Sequence, residues 1–189
     1  MVKFKGSYLL FYRIGVKESW QKKRGLEDCI LNINGTWVDL ELHNYLFHKL
    51  LSEFFNDTES DIGEMILHVL PSIAKDIYIH LDILRKIIED NIFIILQDNN
   101  FKKLHKQEQD FWNLIRTVRN NMTVHKEKKF YYKHSAPITG TDPEHLMTFY
   151  FYLKPNPENI DCIKLRPLTH IEKMEKILRN YENYLILNY

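Results

Sequence analysis

The sequence contains little cysteine, glycine or proline. Only two cysteines occur among the 189 residues, Cys29 and Cys162, and their separation matches no metal-binding spacing. We therefore expect two reduced thiols in a cytoplasmic protein, which excludes a disulfide scaffold or a cysteine-based zinc site. The 6 glycines and 6 prolines are too few for a disordered or low-complexity chain.

Several other features of common functional classes are missing. The apolar run Tyr8–Tyr12 is interrupted at Arg13 and is too short for a signal peptide or a membrane span. The formal net charge is only +1, so any basic surface for nucleic acid must be local. The chain has no glycine-rich phosphate loop and no nucleophile elbow. We predict no membrane association, no cofactor and no metal.

The residues that are present suit one globular domain spanning 1–189. Hydrophobic residues make up 44% of the chain and aromatic residues 13%, which supplies ample material for a core. Apolar positions at helical spacing predict helices over most of the chain. The fold class is therefore expected to be mainly α, an antiparallel helical bundle with a small β-hairpin insertion before the last helix.

The helical stripes fall into four stretches. The first runs from Leu42 to about Phe55, and the second starts at Asp61, with Pro71 either beginning a further helix or kinking a continuous one. The two longest stripes are joined at 98–100, which predicts a helical hairpin; they cover 73–95 and 104–122. A capping box of Thr169 and Glu172 predicts the start of the terminal helix.

Two short segments instead favour β-structure. Residues 146–153 alternate between apolar and polar faces, and 162–166 offers a partner strand, so a β insertion is expected over 130–166, outside the helical core. Near the N-terminus, Asn34-Gly35 stands between two apolar runs, which is typical of a type I′ turn and predicts a small hairpin. Asp39 would then cap the next helix.

The stretch Arg119-Asn120-Asn121-Met122-Thr123-Val124-His125 at the end of one predicted helix carries the chemistry. Arginine is a permanent cation with a donor fork that suits phosphate, and histidine can move protons near neutral pH. On one straight helix, Arg119 and His125 would lie roughly 120° apart around the axis and about 9 Å apart along it. Either the helix breaks near Asn120-Asn121, or two copies of the chain complete one cleft.

This arrangement resembles the HEPN superfamily, whose members are helical, usually dimeric domains, many of them ribonucleases. Their motif is an arginine, often followed by a polar residue, then a histidine after four to six positions; Arg119, Asn120 and His125 fit it. The resemblance covers roughly residues 60 to 126 and, more loosely, the final helix. Members that a partner enzyme nucleotidylates carry a tyrosine two positions after the histidine, where this chain has Glu127.

The resemblance implies a metal-independent endoribonuclease that leaves a 2′,3′-cyclic phosphate. His125 would transfer protons at the ribose 2′-hydroxyl or the leaving 5′-oxygen, and Arg119 would stabilise charge on the phosphate. Asn120 would donate a hydrogen bond that orients either the histidine or the phosphate. A local basic cluster would contact the RNA backbone, namely Arg116, Lys126, Lys128, Lys129 and Lys133. The implied assembly is a homodimer through the motif-bearing helix, acting in defence, stress response or a toxin–antitoxin pair.

Two other interpretations stay open from the sequence. A non-catalytic helical dimer of the same type would bind RNA, nucleotide or a protein partner such as an antitoxin. A structural role would pair Arg119 with Glu108, Asp110 or Glu127 and place His125 near the negative end of its helix dipole.

Overall fold

The computed structural model describes residues 25–56, 61–123, 132–134, 149–152 and 162–189. Six α-helices and one π-helical stretch make up most of this part of the chain. In chain order they are α1 (Leu26–Asn56), α2 (Asp61–Lys86), the π-helix (Ile87–Ile92), α3 (Phe93–Leu96), α4 (Asn99–Lys106), α5 (Gln109–Thr123) and α6 (Pro167–Asn188). The expectation of a mainly α helical bundle is confirmed.

Helix α1 overturns the prediction of an N-terminal hairpin. It runs through Asn34 and Gly35 without interruption, and Gly35 does not adopt the positive φ that a type I′ turn requires. The apolar residues on one face of the helix override the local turn signal, because they are spaced by three, four or seven positions and reach the core: Leu26, Ile30, Ile33, Trp37, Leu40, Phe47 and Leu51. Asp39 consequently lies inside the helix and does not cap it.

Helix α2 lies at the centre of the described structure and packs against α1, α5 and α6. It begins at Asp61, as predicted, and continues through Pro71, so no new helix starts at the proline. The apolar stripe predicted along it is buried, from Ile77 and Leu81 to Leu84 and Ile88. The helical conformation changes only after Lys86, where the π-helix widens the turn before α3.

The chain reverses at Asp98, where the sequence predicted the helix to end. Gln97 adopts a left-handed conformation, with φ of 49°, and ends α3. The Asp98 carboxylate then caps α4 by accepting hydrogen bonds from two backbone N–H groups. It also accepts hydrogen bonds from the hydroxyls of Tyr184 and Tyr189 at 2.6 and 2.8 Å, which attaches the end of α6 to this corner. These bonds lower the pKa of Asp98 to about 2.

Helices α4, α5 and α6 depart from the predicted boundaries. The stripe expected as one helix over 104–122 is divided between α4 and α5 by a turn at Gln107–Glu108. Helix α6 begins two residues before the predicted capping box, with Arg166 at the N-cap and Pro167 in the first turn. The N–H of a residue in the first helical turn has no carbonyl partner within the helix. A proline, which has no N–H, therefore starts the helix without losing a hydrogen bond.

Three short strands occur within the expected insertion, β1 (Tyr132–His134), β2 (Phe149–Tyr152) and β3 (Cys162–Leu165). They pair antiparallel in the order β1-β2-β3, with Phe149 opposite Leu165 in the second pair. The other residues of 130–161 lie outside the described part. The prediction of a β hairpin placed apart from the helical core therefore stays a prediction. Among the helices described, none combines the length and apolar character that crossing a membrane requires.

Candidate functional site

Arg119 lies on the flank of α5, beside the stripe of this helix that is buried within the chain. The buried stripe consists of Phe111, Trp112, Ile115 and Val118. The Arg119 side chain is 36% exposed, and its Nε lies 3.5 Å from Oδ2 of Asp82 on α2. Its Nη1 donates to Oδ1 of the neighbouring Asn120 at 3.4 Å. The guanidinium is thus held between a buried carboxylate and the residue that follows it in the motif.

Asp82 is itself part of a buried charged pair. Its residue is 2% exposed and that of Arg85, one turn further along α2, is 6% exposed. The Nε and Nη2 atoms of Arg85 both donate to Oδ1 of Asp82, at 2.9 and 2.7 Å. The Nη1 of Arg85 donates to Oε2 of Glu89 in the π-helix. Arg85 therefore joins two carboxylates that its fork-shaped donor set fits well.

Glu89 in turn contacts α5 and α4. Its two carboxylate oxygens accept from Nη2 of Arg116 at 3.4 and 3.3 Å. Its Oε1 lies 3.1 Å from Nε2 of His105, a residue that is 3% exposed. We call the connected charged side chains the charged network: Asp82, Arg85, Glu89, Arg116 and Arg119.

His105 extends this network towards α6. Its Nδ1 lies 2.9 Å from the hydroxyl of Tyr181, and its ring stacks on Trp112 with centroids 4.8 Å apart. Burial lowers the pKa of His105, while the hydrogen bond with Glu89 opposes that shift. A neutral ring satisfies both neighbours if Nε2–H donates to Glu89 and Nδ1 accepts the Tyr181 hydroxyl hydrogen. The Trp112 Nε1 donates to the backbone carbonyl of His105 at 3.1 Å.

Glu89 lies within the π-helix. In the chain, Asp82, Arg85 and Glu89 follow the spacing of three and four residues that places side chains on one helical face. The wider π turn, which starts at Ile87, changes the direction of the residues after it. Short π-helical stretches occur frequently at functional sites in proteins.

The structure brings together only part of the predicted site. Arg119, Asn120 and Arg116 lie on one helix, and α5 continues to Thr123. Of the two alternatives that the sequence left open, the break at Asn120-Asn121 is therefore wrong, and a cleft completed by two copies of the chain stays a prediction. Two asparagines cost too little helix propensity to end a helix whose apolar face is buried on α2. The residues His125, Lys126, Lys128 and Lys129 lie outside the described residues. The backbone of Lys133 is in β1, opposite Tyr150 of β2.

Sequence reasoning missed the partners of the two arginines. The sequence suggested Glu108, Asp110 or Glu127 as partners of Arg119. In the structure Arg119 contacts Asp82, and Glu108 pairs with Lys173 at 3.0 Å. Glu127 lies outside the described residues. The spacing of Asp82, Arg85 and Glu89 was the available signal. It was ambiguous, because the same spacing also occurs on solvent-exposed helix faces.

Cys29 is buried and its thiol is free. Desolvation by burial raises the pKa of this thiol. Across the described ranges, no three histidine, cysteine, aspartate or glutamate side chains are grouped so that they could hold a metal ion.

The comparisons add no relative: no protein-family model matches the chain, and neither a curated protein nor a solved structure matches it. The residues of the site are therefore the only basis for a functional conclusion.

Proposed function

We propose that this chain is a metal-independent endoribonuclease of the HEPN type. Arg119 binds the scissile phosphate, His125 transfers the proton, and Asn120 orients the arginine. The observation that carries the proposal is the placement of Arg119, which a buried carboxylate holds by Nε while its side chain stays 36% exposed beside Asn120. A cation fixed before the substrate arrives stabilises developing charge without reorganisation.

The reaction is a transesterification. The ribose 2′-oxygen attacks phosphorus as it loses its proton to a base, and the bond from phosphorus to the 5′-oxygen breaks. The 5′-oxygen leaves with a proton, giving a 2′,3′-cyclic phosphate and a 5′-hydroxyl. His125 is assigned one of these two proton transfers, and Arg119 the negative charge that collects on the non-bridging oxygens.

RNA affinity is assigned to the basic residues near the motif: Arg116, Lys126, Lys128, Lys129 and Lys133. Of these, the structure describes the side chain of Arg116, which is 45% exposed and paired with Glu89. Because such contacts act on phosphates, binding should weaken steeply as salt rises.

We also propose that the enzyme acts as a homodimer through α5, with RNA as substrate and an antitoxin as a protein partner. The described apolar side chains of α5 are buried or partly buried within the chain. A second copy would therefore meet the polar face of this helix, which includes the exposed residues Asn113, Arg116, Thr117 and Asn120.

The test is cleavage of a labelled single-stranded RNA by Arg119→Ala and His125→Ala, with Arg179→Ala as the matched control. Arg179 is an exposed arginine of α6 that is also paired with a carboxylate, Glu175. His125→Ala should lose about 10²–10⁴ in rate, as is typical for a proton-transfer group. Arg119→Ala should lose about 10²–10³, as is typical for a donor that stabilises developing charge. Arg119→Lys should restore little, since a point charge lacks the fork.

Cleavage by the wild type should survive EDTA and leave a cyclic phosphate end. Equal cleavage by the wild type and both motif variants would overturn the proposal, as would activity that EDTA abolishes and Mg²⁺ restores.

A second candidate is a non-catalytic helical module that binds a protein partner. It is favoured by apolar side chains exposed on α1 and α2, of which Leu42 is 55% exposed, Ile62 61% and Met65 66%. Exposed apolar side chains mark partner binding where they form one continuous surface. If RNA is not cut, and Leu42→Glu but not Arg119→Ala abolishes partner binding, this function replaces the first.

A further inference from the structure

The two arginines of α5 pair with two carboxylates, one on α2 and one on the π-helix that continues it, in antiparallel order. Arg119 contacts Asp82. Arg116 lies one turn before Arg119 on α5, and it contacts Glu89, which lies two turns after Asp82. Both carboxylates are more buried than their partners, with side chains 3% and 19% exposed against 36% and 45% for the arginines. Each arginine therefore has an anchored inner side and an outer side nearer the solvent.

Arg85 couples the two anchors. It donates to Asp82 and to Glu89 from one buried guanidinium, so neither carboxylate can turn without disturbing the other. Hydrogen-bonded charges in a low-dielectric interior interact more strongly than the same groups in water. His105 adds a further bond to Glu89 and, through Tyr181, connects the anchors to α6.

The charged network carries a surplus of positive charge. Among the described side chains, its three guanidiniums outnumber its two carboxylates, which leaves one net positive charge, and the ammonium of Lys86 lies 3.9 Å from Asp82. Because the carboxylates lie inside and Arg116 and Arg119 lie outside, this surplus faces the surface. Such an arrangement suits an anion with several phosphates along one strand.

We propose that Asp82 is the positioning residue for Arg119 and that Glu89 is the positioning residue for Arg116. Together they hold two guanidiniums against neighbouring phosphates of one RNA strand. This inference rests on the proposed function for its substrate, and on the contacts of the charged network for its geometry. Asp82 and Glu89 act through the arginines and do not touch RNA themselves.

The kinetic experiment compares Asp82→Asn with Asp90→Asn in the full-length protein, using the same labelled single-stranded RNA. Asp90 is an exposed carboxylate of the π-helix, so its variant controls for the loss of one negative charge. Asp82→Asn should lower kcat about tenfold or more with a smaller change in KM, whereas Asp90→Asn should stay within about twofold. Asp82→Glu, which keeps the charge, should recover part of the loss.

A double-variant cycle separates positioning from a general loss of structure. If Asp82 acts through Arg119, Asp82→Asn should have little further effect on the rate in an Arg119→Lys background. Effects that multiply in the double variant would show that Asp82 works independently of Arg119 and would overturn the inference. Cleavage of RNA by Asp82→Asn as fast as by Asp90→Asn would overturn it as well.

Arginine side-chain NMR tests the positioning role without any catalysis. The Nε–H signal of Arg119, assigned by its loss in Arg119→Lys, should be resolved and slow to exchange in the wild type. In Asp82→Asn this signal should merge with the signals of the exposed arginines. If Asp82→Asn does not fold, the signal should instead shift in Asp82→Glu.

An Arg119 signal already averaged in the wild type would overturn the positioning role. An ordered, Asp82-dependent signal in a protein that does not cleave RNA would instead retain the positioning role and refute the proposed function.

Discussion

The side chains that α1 buries differ in kind from those buried where α2, the π-helix, α4 and α5 meet. Those of α1 are apolar, from Leu26 to Leu51, apart from Asn34. The second region buries Asp82, Arg85 and His105 beside Trp112. Apolar burial stabilises a fold without fixing any one atom, whereas a buried charge needs its partner at a defined position. The first region therefore holds the helices together, and the second fixes individual side chains.

The largest expected effects come from substituting one buried side chain in each region. Arg85→Ala leaves the Asp82 carboxylate buried without its main partner, so the free energy of unfolding should fall by about 3–5 kcal/mol. Phe47→Ala removes a ring that is fully buried in the α1 region and should lower it by a similar amount, about 3–5 kcal/mol. Urea unfolding followed by circular dichroism measures both.

A smaller effect should come from His170 on α6, which packs against α2 and α5. Its Nδ1 contacts the Tyr78 hydroxyl, its ring contacts Phe111, and burial lowers its pKa from 6.5 to about 4. Below about pH 6.5 the unfolded chain protonates this histidine, whereas the folded chain keeps it neutral down to about pH 4. Its contribution to the free energy of unfolding is therefore fully present above pH 6.5 and is lost as the pH falls from 6.5 to 4. The loss should be on the order of 2 kcal/mol. His170→Gln should flatten this part of the curve, and an unchanged slope would assign the dependence to other groups.

The sequence predicted the helices well where long apolar stripes decide the structure. The stripe of α2 and the reversal at Asp98 were both expected, because burial of a whole helical face outweighs local preferences. The prediction failed where a short signal competed with such a stripe, as at Asn34-Gly35. The partners of Arg119 and Arg116 were not predictable for a different reason. Asp82 and Glu89 come near them only through the packing of α2 and the π-helix on α5.

The smallest effect tests the clearest of these failures. Gly35 is exposed inside α1, and a methyl group added there would meet nothing within 4 Å. Alanine loses less backbone freedom on folding and favours a helix, so Gly35→Ala should raise the free energy of unfolding by about 0.5–1 kcal/mol. In a type I′ turn the same change would force alanine into positive φ and destabilise the protein. Urea unfolding of this variant therefore decides between the helix and the hairpin. A free energy of unfolding below that of the wild type would support the hairpin that the Asn-Gly pair predicts.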